Sequence, residues 1–236
     1  GQTREALRRH FSPEFLGRLD RVVHFKGLED SAMGCIAGKY LDQLQNYQEA
    51  ARLARGRRVL DCFCNQGGFA LACAKAGAAS VTAVDISEDA IASVRKNAEL
   101  NGVQIEAVAE NAFDFLKRES DKVRNGADPK WDLIILDPPS FTRNKKSLNG
   151  ALRGYKEIHL RAMQMLPVGG VLSTFSCSHH ISANLFKQTI CDAAVDGHCT
   201  LRQTHVHGQS PDHPILLNIP ETEYLKGFSF EMVPGR

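Results

Sequence analysis

The chain has 236 residues, 43% apolar and 24% charged, with a formal net charge of +2 at pH 7. This composition excludes a wholly disordered chain, because the apolar residues suffice to fill a core. The small net charge gives no strong overall attraction to nucleic acid, so any such binding has to come from local patches. No segment approaches the ~20 apolar residues of a membrane helix, and the charged start of the sequence is not typical of a secretion signal.

The seven cysteines are too scattered for a disulfide scaffold. They indicate reduced thiols, which predicts a cytoplasmic protein. Cys62 and Cys64 have no second ligand pair at zinc spacing, so no metal site is expected.

Strands alternate with helices through the middle of the chain. Strands are predicted over Arg58–Asp61, Ser80–Asp85, Gln104–Val108, Trp131–Leu136 and Gly170–Ser176. Helices are predicted over Phe69–Ala76, Glu88–Asn101, Phe113–Arg124 and Tyr155–Leu166. Two further strand candidates, His198–His207 and Tyr224–Val233, are expected to pair antiparallel at one edge. The alternation predicts an α/β fold with a doubly wound, mostly parallel sheet.

Residues 1–34 do not fit this alternation. We predict that they form a short N-terminal extension and that residues 35–236 form the main domain. Part of the extension, residues 11–28, weakly resembles the arginine-finger stretch of Clp-type unfoldases. The phosphate-binding loop of such an ATPase has no counterpart in the sequence, so no ATPase activity is expected.

Polar residues end the first three predicted strands. Asp61 is followed by a turn with paired glycines, Gly67 and Gly68, Asp85 ends the second strand, and Asn111 follows the third. In open α/β sheets ligands bind at the carboxyl ends of the strands, and an acid there accepts hydrogen bonds from ribose hydroxyls. The turn is neither GxGxxG nor a P-loop, which disfavours a dehydrogenase and a P-loop ATPase.

The segment Asp137-Pro138-Pro139-Ser140-Phe141 follows the fourth strand. Two prolines fix φ and stiffen this loop, which presents Asp137 at the reactive end of a cofactor. The order of these residues at successive strand ends resembles that of class I S-adenosylmethionine-dependent methyltransferases.

A more specific resemblance is to the bacterial large-subunit ribosomal RNA cytosine-5 methyltransferases of PUA-domain type. The motifs that carry it span about residues 38–230 and are Tyr40-Leu41-Asp42-Gln43, Cys62-Phe63 to Gly67-Gly68-Phe69, Asp137 to Phe141, Arg153-Gly154-Tyr155-Lys156, Thr174-Phe175-Ser176-Cys177-Ser178, Asp212-His213-Pro214 and Tyr224-Leu225-Lys226-Gly227-Phe228. The PUA domain of that family, and the hairpin before its Tyr-Leu-Asp-Gln motif, have no counterpart in this sequence.

The resemblance implies a seven-stranded Rossmann-like sheet and S-adenosylmethionine as cofactor. Asp85 is expected to hold the ribose and Asn111 to lie by the adenine. The full set of expected cofactor-binding residues is Gln43, Asp61, Phe63, Asn65, Gly67, Gly68, Asp85, Ile86, Asn111, Ala112 and Asp137.

The predicted reaction is methylation of carbon 5 of cytosine in ribosomal RNA. Carbon 5 is a poor nucleophile, and the usual solution is addition of a thiolate at carbon 6. Cys177 ends the fifth predicted strand, and the resemblance makes it the nucleophile, with Asp137 as the second catalytic residue. A buried structural thiol is the alternative for Cys177.

A basic stretch follows the Asp-Pro-Pro loop and predicts phosphate contacts with RNA. Its members are Arg143, Lys145, Lys146, Arg153 and Lys156. An ordinary solvated surface explains the charge nearly as well. Two other functions stay open, an N-methyltransferase acting on a nucleobase amine and a catalytically silent module that binds cofactor or RNA.

Overall fold

A computed structural model describes residues 45–142, 147–178, 180–209, 215–216, 218–219 and 225–235. Its strands are β1 Arg58–Cys62, β2 Ser80–Asp85, β3 Glu106–Ala109, β4 Leu133–Leu136, β5 Val171–Ser176, β6 Thr200–His207 and β7 Lys226–Val233. Its helices are α1 over residues 45–54, α2 Gly68–Lys75, α3 Glu88–Leu100, α4 Ala112–Arg124, α5 Leu148–Gln164 and α6 Ala183–Asp196. The predicted boundary between residues 1–34 and 35–236 lies outside these residues and stays a prediction.

The seven strands form one sheet in the order β3-β2-β1-β4-β5-β7-β6. Strands β1 to β5 are parallel, and β7 runs antiparallel between β5 and β6. The predicted doubly wound, mostly parallel sheet is therefore confirmed, and β6 and β7 are antiparallel as expected. Strand β7 pairs on both sides, so β6 lies at one edge of this sheet and β3 at the other.

Helices cover both faces of the sheet. On one face the core contains residues of α1, α2 and α3, among them Ala54, Phe69 and Val94. On the other face it contains residues of α4, α5 and α6, among them Leu116, Tyr155 and Phe186. Both faces of the central strands are thus buried, which explains the continuous apolar run of β4.

Two helices differ from the sequence prediction. Helix α5 begins at Leu148 instead of Tyr155, because Gly150 and Gly154 are accommodated inside its first turns. Helix α6 was not predicted, although its buried residues follow a helical spacing and its N-cap Ser182 accepts a hydrogen bond from the Leu185 N–H. Strand β3 begins at Glu106, two positions after the predicted Gln104.

No helix within the described part of the chain has both the length and the apolar composition needed to cross a lipid bilayer.

Replacing Gly227 by alanine is expected to destabilise the sheet. A Cβ atom there would lie 2.6 Å from Cδ1 of Phe175 and 2.9 Å from Cβ of His207. We expect Gly227→Ala to lower the free energy of unfolding by about 1–3 kcal/mol in urea titrations. Gly150→Ala is the control, because nothing lies within 4 Å of its Cβ position and alanine favours the helix by up to about 1 kcal/mol. Equal stabilities of the two variants would contradict the packing argument.

Candidate active site

The candidate site lies at the carboxyl ends of the parallel strands. Asp61 is the second-to-last residue of β1, Asp85 is the last residue of β2, and Asp137 directly follows β4. Asn111 follows β3 and Cys177 follows β5. Because strands β1 to β5 are parallel, the structure brings all five residues to one edge of the sheet.

Asp85 joins the loops that follow β1 and β2. Its Oδ2 accepts a hydrogen bond from the Asn65 N–H at 2.9 Å, and its Oδ1 accepts one from the Ser87 N–H at 2.9 Å. The β1 loop is tightly curved, with positive φ at Phe63 (63°), Asn65 (47°) and Gly67 (83°). The Asp85 carboxylate therefore stabilises a loop conformation that L-residues adopt reluctantly.

Asp61 is fully buried and only partly hydrogen-bonded. Its Oδ2 accepts a hydrogen bond from the Ala70 N–H at 3.0 Å, whereas its Oδ1 has no partner among the described residues. Burial raises the pKa of Asp61 well above its usual range, the Ala70 hydrogen bond acts in the opposite direction, and the charges of Asp137 and Asp85 raise the pKa further. A buried carboxyl oxygen without a partner suits a ligand that carries a donor or a positive charge.

The paired glycines have a packing reason that the sequence did not indicate. A Cβ atom on Gly68 would lie 2.4 Å from Cζ of Tyr47, a residue of α1. The Tyr47 ring also contacts Phe69 edge-on, with centroids 4.6 Å apart. A Cβ atom on Gly67 would approach Val94 to 3.1 Å. Gly68 therefore admits the Tyr47 ring against the start of α2.

The residues after β2 and β3 differ in accessibility. The side chain of Ile86 is 69% exposed, beside Asp85. Asn111 caps α4, because its side-chain oxygen accepts a hydrogen bond from the Phe113 N–H at 2.9 Å. Ala112 is buried in the core, so only its backbone is left to contact a ligand.

Cys177 is exposed at the end of β5. The surrounding protein atoms reduce hydration of the thiol and raise its pKa above the usual value, and the nearby Asp137 carboxylate raises the pKa further. The backbone N–H groups of Cys177 and Ser140 and the ammonium group of Lys226 act in the opposite direction. The structure thus brings the two predicted catalytic residues, Cys177 and Asp137, into electrostatic contact.

An aromatic cluster packs against the Asp-Pro-Pro loop. Phe141 packs against Tyr155, Phe113 and Phe63, with ring centroids 4.6, 5.5 and 6.2 Å apart. Gly154 lies beside this ring, and a Cβ atom there would be in ordinary van der Waals contact with it, 3.4 Å from Cδ2 of Phe141. Phe141 is therefore turned into the protein and anchors the loop that carries Asp137.

Tyr155 adds a contact that sequence reasoning missed. Its hydroxyl and Ser176 Oγ are hydrogen-bonded at 3.1 Å in the buried interior. Burial raises the pKa of Tyr155 to about 12, and the charges of Cys177 and Asp137 contribute in the same direction. Tyr155 belongs to the Arg153-Gly154-Tyr155-Lys156 motif, but its hydrogen bond with Ser176 forms only because α5 packs against β5 in the fold.

The predicted RNA-binding residues are placed only in part. Arg153 is exposed on α5, whereas Lys156 forms an ion pair with Asp196 at 2.7 Å. Thr142 and Ser147 flank the basic loop and are hydrogen-bonded to each other at 2.9 Å. Gln43, Arg143, Lys145 and Lys146 lie outside the described residues.

The fold defines a Rossmann-like α/β domain, and its acidic strand ends form a candidate ligand site beside the switch point between β1 and β4. The family model of S-adenosylmethionine-dependent methyltransferases matches residues 23–208, and the chain belongs to this family. The predicted cofactor, S-adenosylmethionine, is the cofactor of the family.

Relatives and a solved structure support this assignment. The chain is 41% identical over 211 residues to ribosomal RNA large subunit methyltransferase I of Erwinia tasmaniensis, covering 88% of this chain and 52% of that protein. It is 42% identical to the protein of the same name from Aeromonas hydrophila, covering 86% and 50%. The crystal structure of SMU.776, described as a methyltransferase complexed with SAH, aligns with a TM-score of 0.69 at 25% identity, covering 81% of this chain and 49% of that one. The chain thus spans about half the length of the curated relatives it matches.

Replacing Asp85 by alanine is expected to weaken cofactor binding. The variant loses the acceptor for two backbone N–H groups as well as the expected ribose contact. We expect S-adenosylmethionine to bind more weakly to the variant, by roughly 1–3 kcal/mol, as measured by isothermal titration calorimetry. Glu88→Ala is the control, because Glu88 is an exposed acid in the next turn. Unchanged affinity in Asp85→Ala would remove Asp85 from the cofactor site.

Proposed function

We propose that this chain methylates carbon 5 of cytosine in ribosomal RNA, with Cys177 as nucleophile. The observation that carries the proposal is the placement of the exposed Cys177 thiol beside Asp137, at the sheet edge that also holds Asp61 and Asp85. The name that the relatives share, ribosomal RNA large subunit methyltransferase I, supports the substrate class. The motifs quoted above support the cytosine-5, PUA-type subfamily.

The chain's own residues fit S-adenosylmethionine. When bound, this cofactor supplies an electrophilic methyl group on a sulfonium cation and also carries an ammonium group. Asp61 has a buried oxygen that finds no partner in the described part of the chain, and the charges of Asp85 and Asp137 lie near it. Three carboxylates at one strand edge favour a cationic ligand, because a cation relieves their mutual repulsion. Asp85 would hold the ribose, and Asn111 and Ile86 would lie by the adenine.

Cys177 would start the reaction by forming a bond between its Sγ and carbon 6 of the cytosine. This addition places electron density on carbon 5, which then accepts the methyl group. Asp137 would hydrogen-bond the ring at N3 and donate a proton there, which offsets the negative charge created by the addition. A solvent base would then take the carbon-5 proton, which restores the C5–C6 double bond as the Sγ–C6 bond breaks and the thiolate leaves. The proton on N3 would return to Asp137.

The position of Phe141 disfavours methylation of an exocyclic amine. Such enzymes often present an aromatic ring directly after Asp-Pro-Pro, whereas Ser140 intervenes here and the Phe141 ring packs against Tyr155 and Phe113. A ring held in the aromatic cluster is not available to stack on a target base. The exposed thiol at the end of β5 has no equivalent role in a silent binding module.

RNA would approach across the start of α5. Arg153 is exposed there, and Thr142 and Ser147, which flank the basic residues 143–146 in the sequence, are hydrogen-bonded to each other. Lys156 contributes less in this proposal, because Asp196 already partners its ammonium group. The role of residues 1–34, including the unfoldase-like stretch over 11–28, stays a prediction that lies outside the described residues.

Replacing Cys177 by alanine is expected to abolish methyl transfer but to leave cofactor affinity nearly unchanged. The thiol serves only the chemical step, so we expect the rate of tritiated-methyl transfer to ribosomal RNA to fall by more than about 1000-fold. RNA with 5-fluorocytosine at the target is expected to form a denaturant-resistant adduct with the parent protein and none with the variant, because fluorine cannot leave as a proton does.

Cys191→Ala is the matched control, since Cys191 is also exposed but lies on α6. Full turnover by Cys177→Ala, or an adduct that survives this substitution, would remove Cys177 from the mechanism. Nucleoside mass analysis of the product then distinguishes carbon methylation from amine methylation.

The rate of methyl transfer is expected to rise with pH. Only the thiolate attacks carbon 6, and the pKa of the Cys177 thiol is raised above its usual value by reduced hydration and by Asp137. The thiolate fraction, and with it kcat, therefore climbs as pH increases through this raised pKa. A pH profile of kcat that is flat or falls between about pH 7 and 9 would contradict a rate-limiting thiolate attack.

Neutralising the basic surface is expected to reduce the salt dependence of RNA binding. Each lost phosphate contact flattens the slope of log affinity against log salt by about one unit. We expect Lys145→Gln with Lys146→Gln to flatten it by up to about two units and Arg153→Gln by about one unit, as measured by fluorescence anisotropy. Lys156→Gln is the comparison, with a smaller effect because of its ion pair. An unchanged slope in the double variant would assign the loop to an ordinary solvated surface.

A further inference from the structure

Lys226 is a buried cation beside the candidate reaction centre. It is 4% exposed, and its Nζ donates a hydrogen bond to the carbonyl oxygen of Ser178 at 2.7 Å. Taking an ammonium group out of water is unfavourable unless the protein supplies compensating partners. An apolar residue at this position would avoid that cost, so the buried lysine calls for a functional explanation.

The sheet register places this lysine next to the turn that carries the nucleophile. Lys226 is the first residue of β7 and pairs with Ser176, the last residue of β5. Cys177 and Ser178 continue the chain directly from that pair. Ser178 is also buried, and its N–H donates to Ser176 Oγ at 3.4 Å. The backbone is thus held on both sides of the exposed Cys177 thiol.

We propose that Lys226 is a positioning residue for Cys177, which fixes the Cys177–Ser178 turn through the Ser178 carbonyl and favours the thiolate through its positive charge. This inference rests on the proposed function, in which Cys177 attacks carbon 6 of the base. Lys226 itself does not touch the reacting atoms in this proposal. Its two contributions, the hydrogen bond and the charge, are separable by substitution.

Other charged and titratable groups near the thiol also influence the pKa of Cys177. Asp137, after β4, raises the pKa of Cys177, whereas the backbone N–H of Ser140 and the Lys226 charge lower it. Tyr155, on α5, has a pKa of about 12 and is neutral at physiological pH. Lys226 is therefore the cation that offsets Asp137 in the part of the chain that the structure describes, and its removal raises the pKa of the thiol.

The test compares the alkylation rate of Cys177 as a function of pH in the parent protein and four variants. Lys226→Met removes the charge and the donor, Lys226→Gln keeps a neutral donor, and Lys226→Arg keeps both. Ser229→Ala is the structural control, because Ser229 is a buried polar residue of the same strand that bonds Ser173 and His207 instead. Iodoacetamide labelling is quantified on the Cys177 peptide by mass spectrometry, so that the other thiols do not interfere.

We expect the midpoint of alkylation to move up by about one pH unit in Lys226→Met and Lys226→Gln, and to stay near the parent value in Lys226→Arg. Where methyl transfer is measured, kcat is expected to fall about tenfold in Lys226→Gln at neutral pH, with little change in KM and with recovery at higher pH. Ser229→Ala is expected to lower thermal stability without moving the midpoint.

A midpoint that stays at the parent value in folded Lys226→Gln would overturn the proposal, as would an equal shift in Ser229→Ala. If Lys226→Met does not fold, the comparison of Lys226→Gln with Lys226→Arg still isolates the charge. Alkylation needs no methyl transfer, so this measurement stands even if Cys177→Ala retains activity. Retained methyl transfer in Cys177→Ala would overturn the proposed reaction, whereas the shift of the alkylation midpoint reports on Lys226 alone.

Discussion

Strand β1 pairs in parallel with β2 on one side and with β4 on the other, and this register determines the site. Cys62 is aligned with Val84 and with Leu136, so Asp85 and Asp137 each follow one position later along their strands. Asp61 is aligned with Ala83 and Ile135, two positions before the other acids, which places all three carboxylates on the same side of the pleat. A slip of one residue in either pairing would move an acid to the opposite face.

The loops that follow these strands depend on that alignment. Asp85 bonds the backbone of Asn65 across the sheet edge, and Asp61 bonds the Ala70 N–H at the start of α2. The loop after β4 is held by a different means, because the Phe141 ring is inserted between α4 and α5 against Phe113 and Tyr155. Polar contacts therefore shape the proposed cofactor side of the site, and aromatic packing shapes the proposed substrate side.

The sequence allowed prediction of the features that depend on local pattern. Alternating strands and helices gave the doubly wound sheet, and acids at the strand ends gave the candidate cofactor site. The predicted boundaries of α5 were wrong because Gly150 and Gly154 disfavour a helix by propensity, whereas the folded helix contains both glycines. The roles of Tyr47 and Lys226 depend on contacts with residues far along the chain, Gly68 and Ser178, and no local signal reveals such pairs.

The three carboxylates also bear on how the proposed enzyme releases its product. In the proposed reaction the cofactor would bind as a sulfonium cation and would leave as a neutral thioether, with one positive charge fewer. Burial raises the pKa of Asp61, and the charges of Asp137 and Asp85 raise it further, so a cationic cofactor would relieve the repulsion among the three acids more than a neutral one. In the proposed enzyme the acidic strand edge would therefore bind the used cofactor less tightly than a fresh one, which would favour their exchange after each turnover.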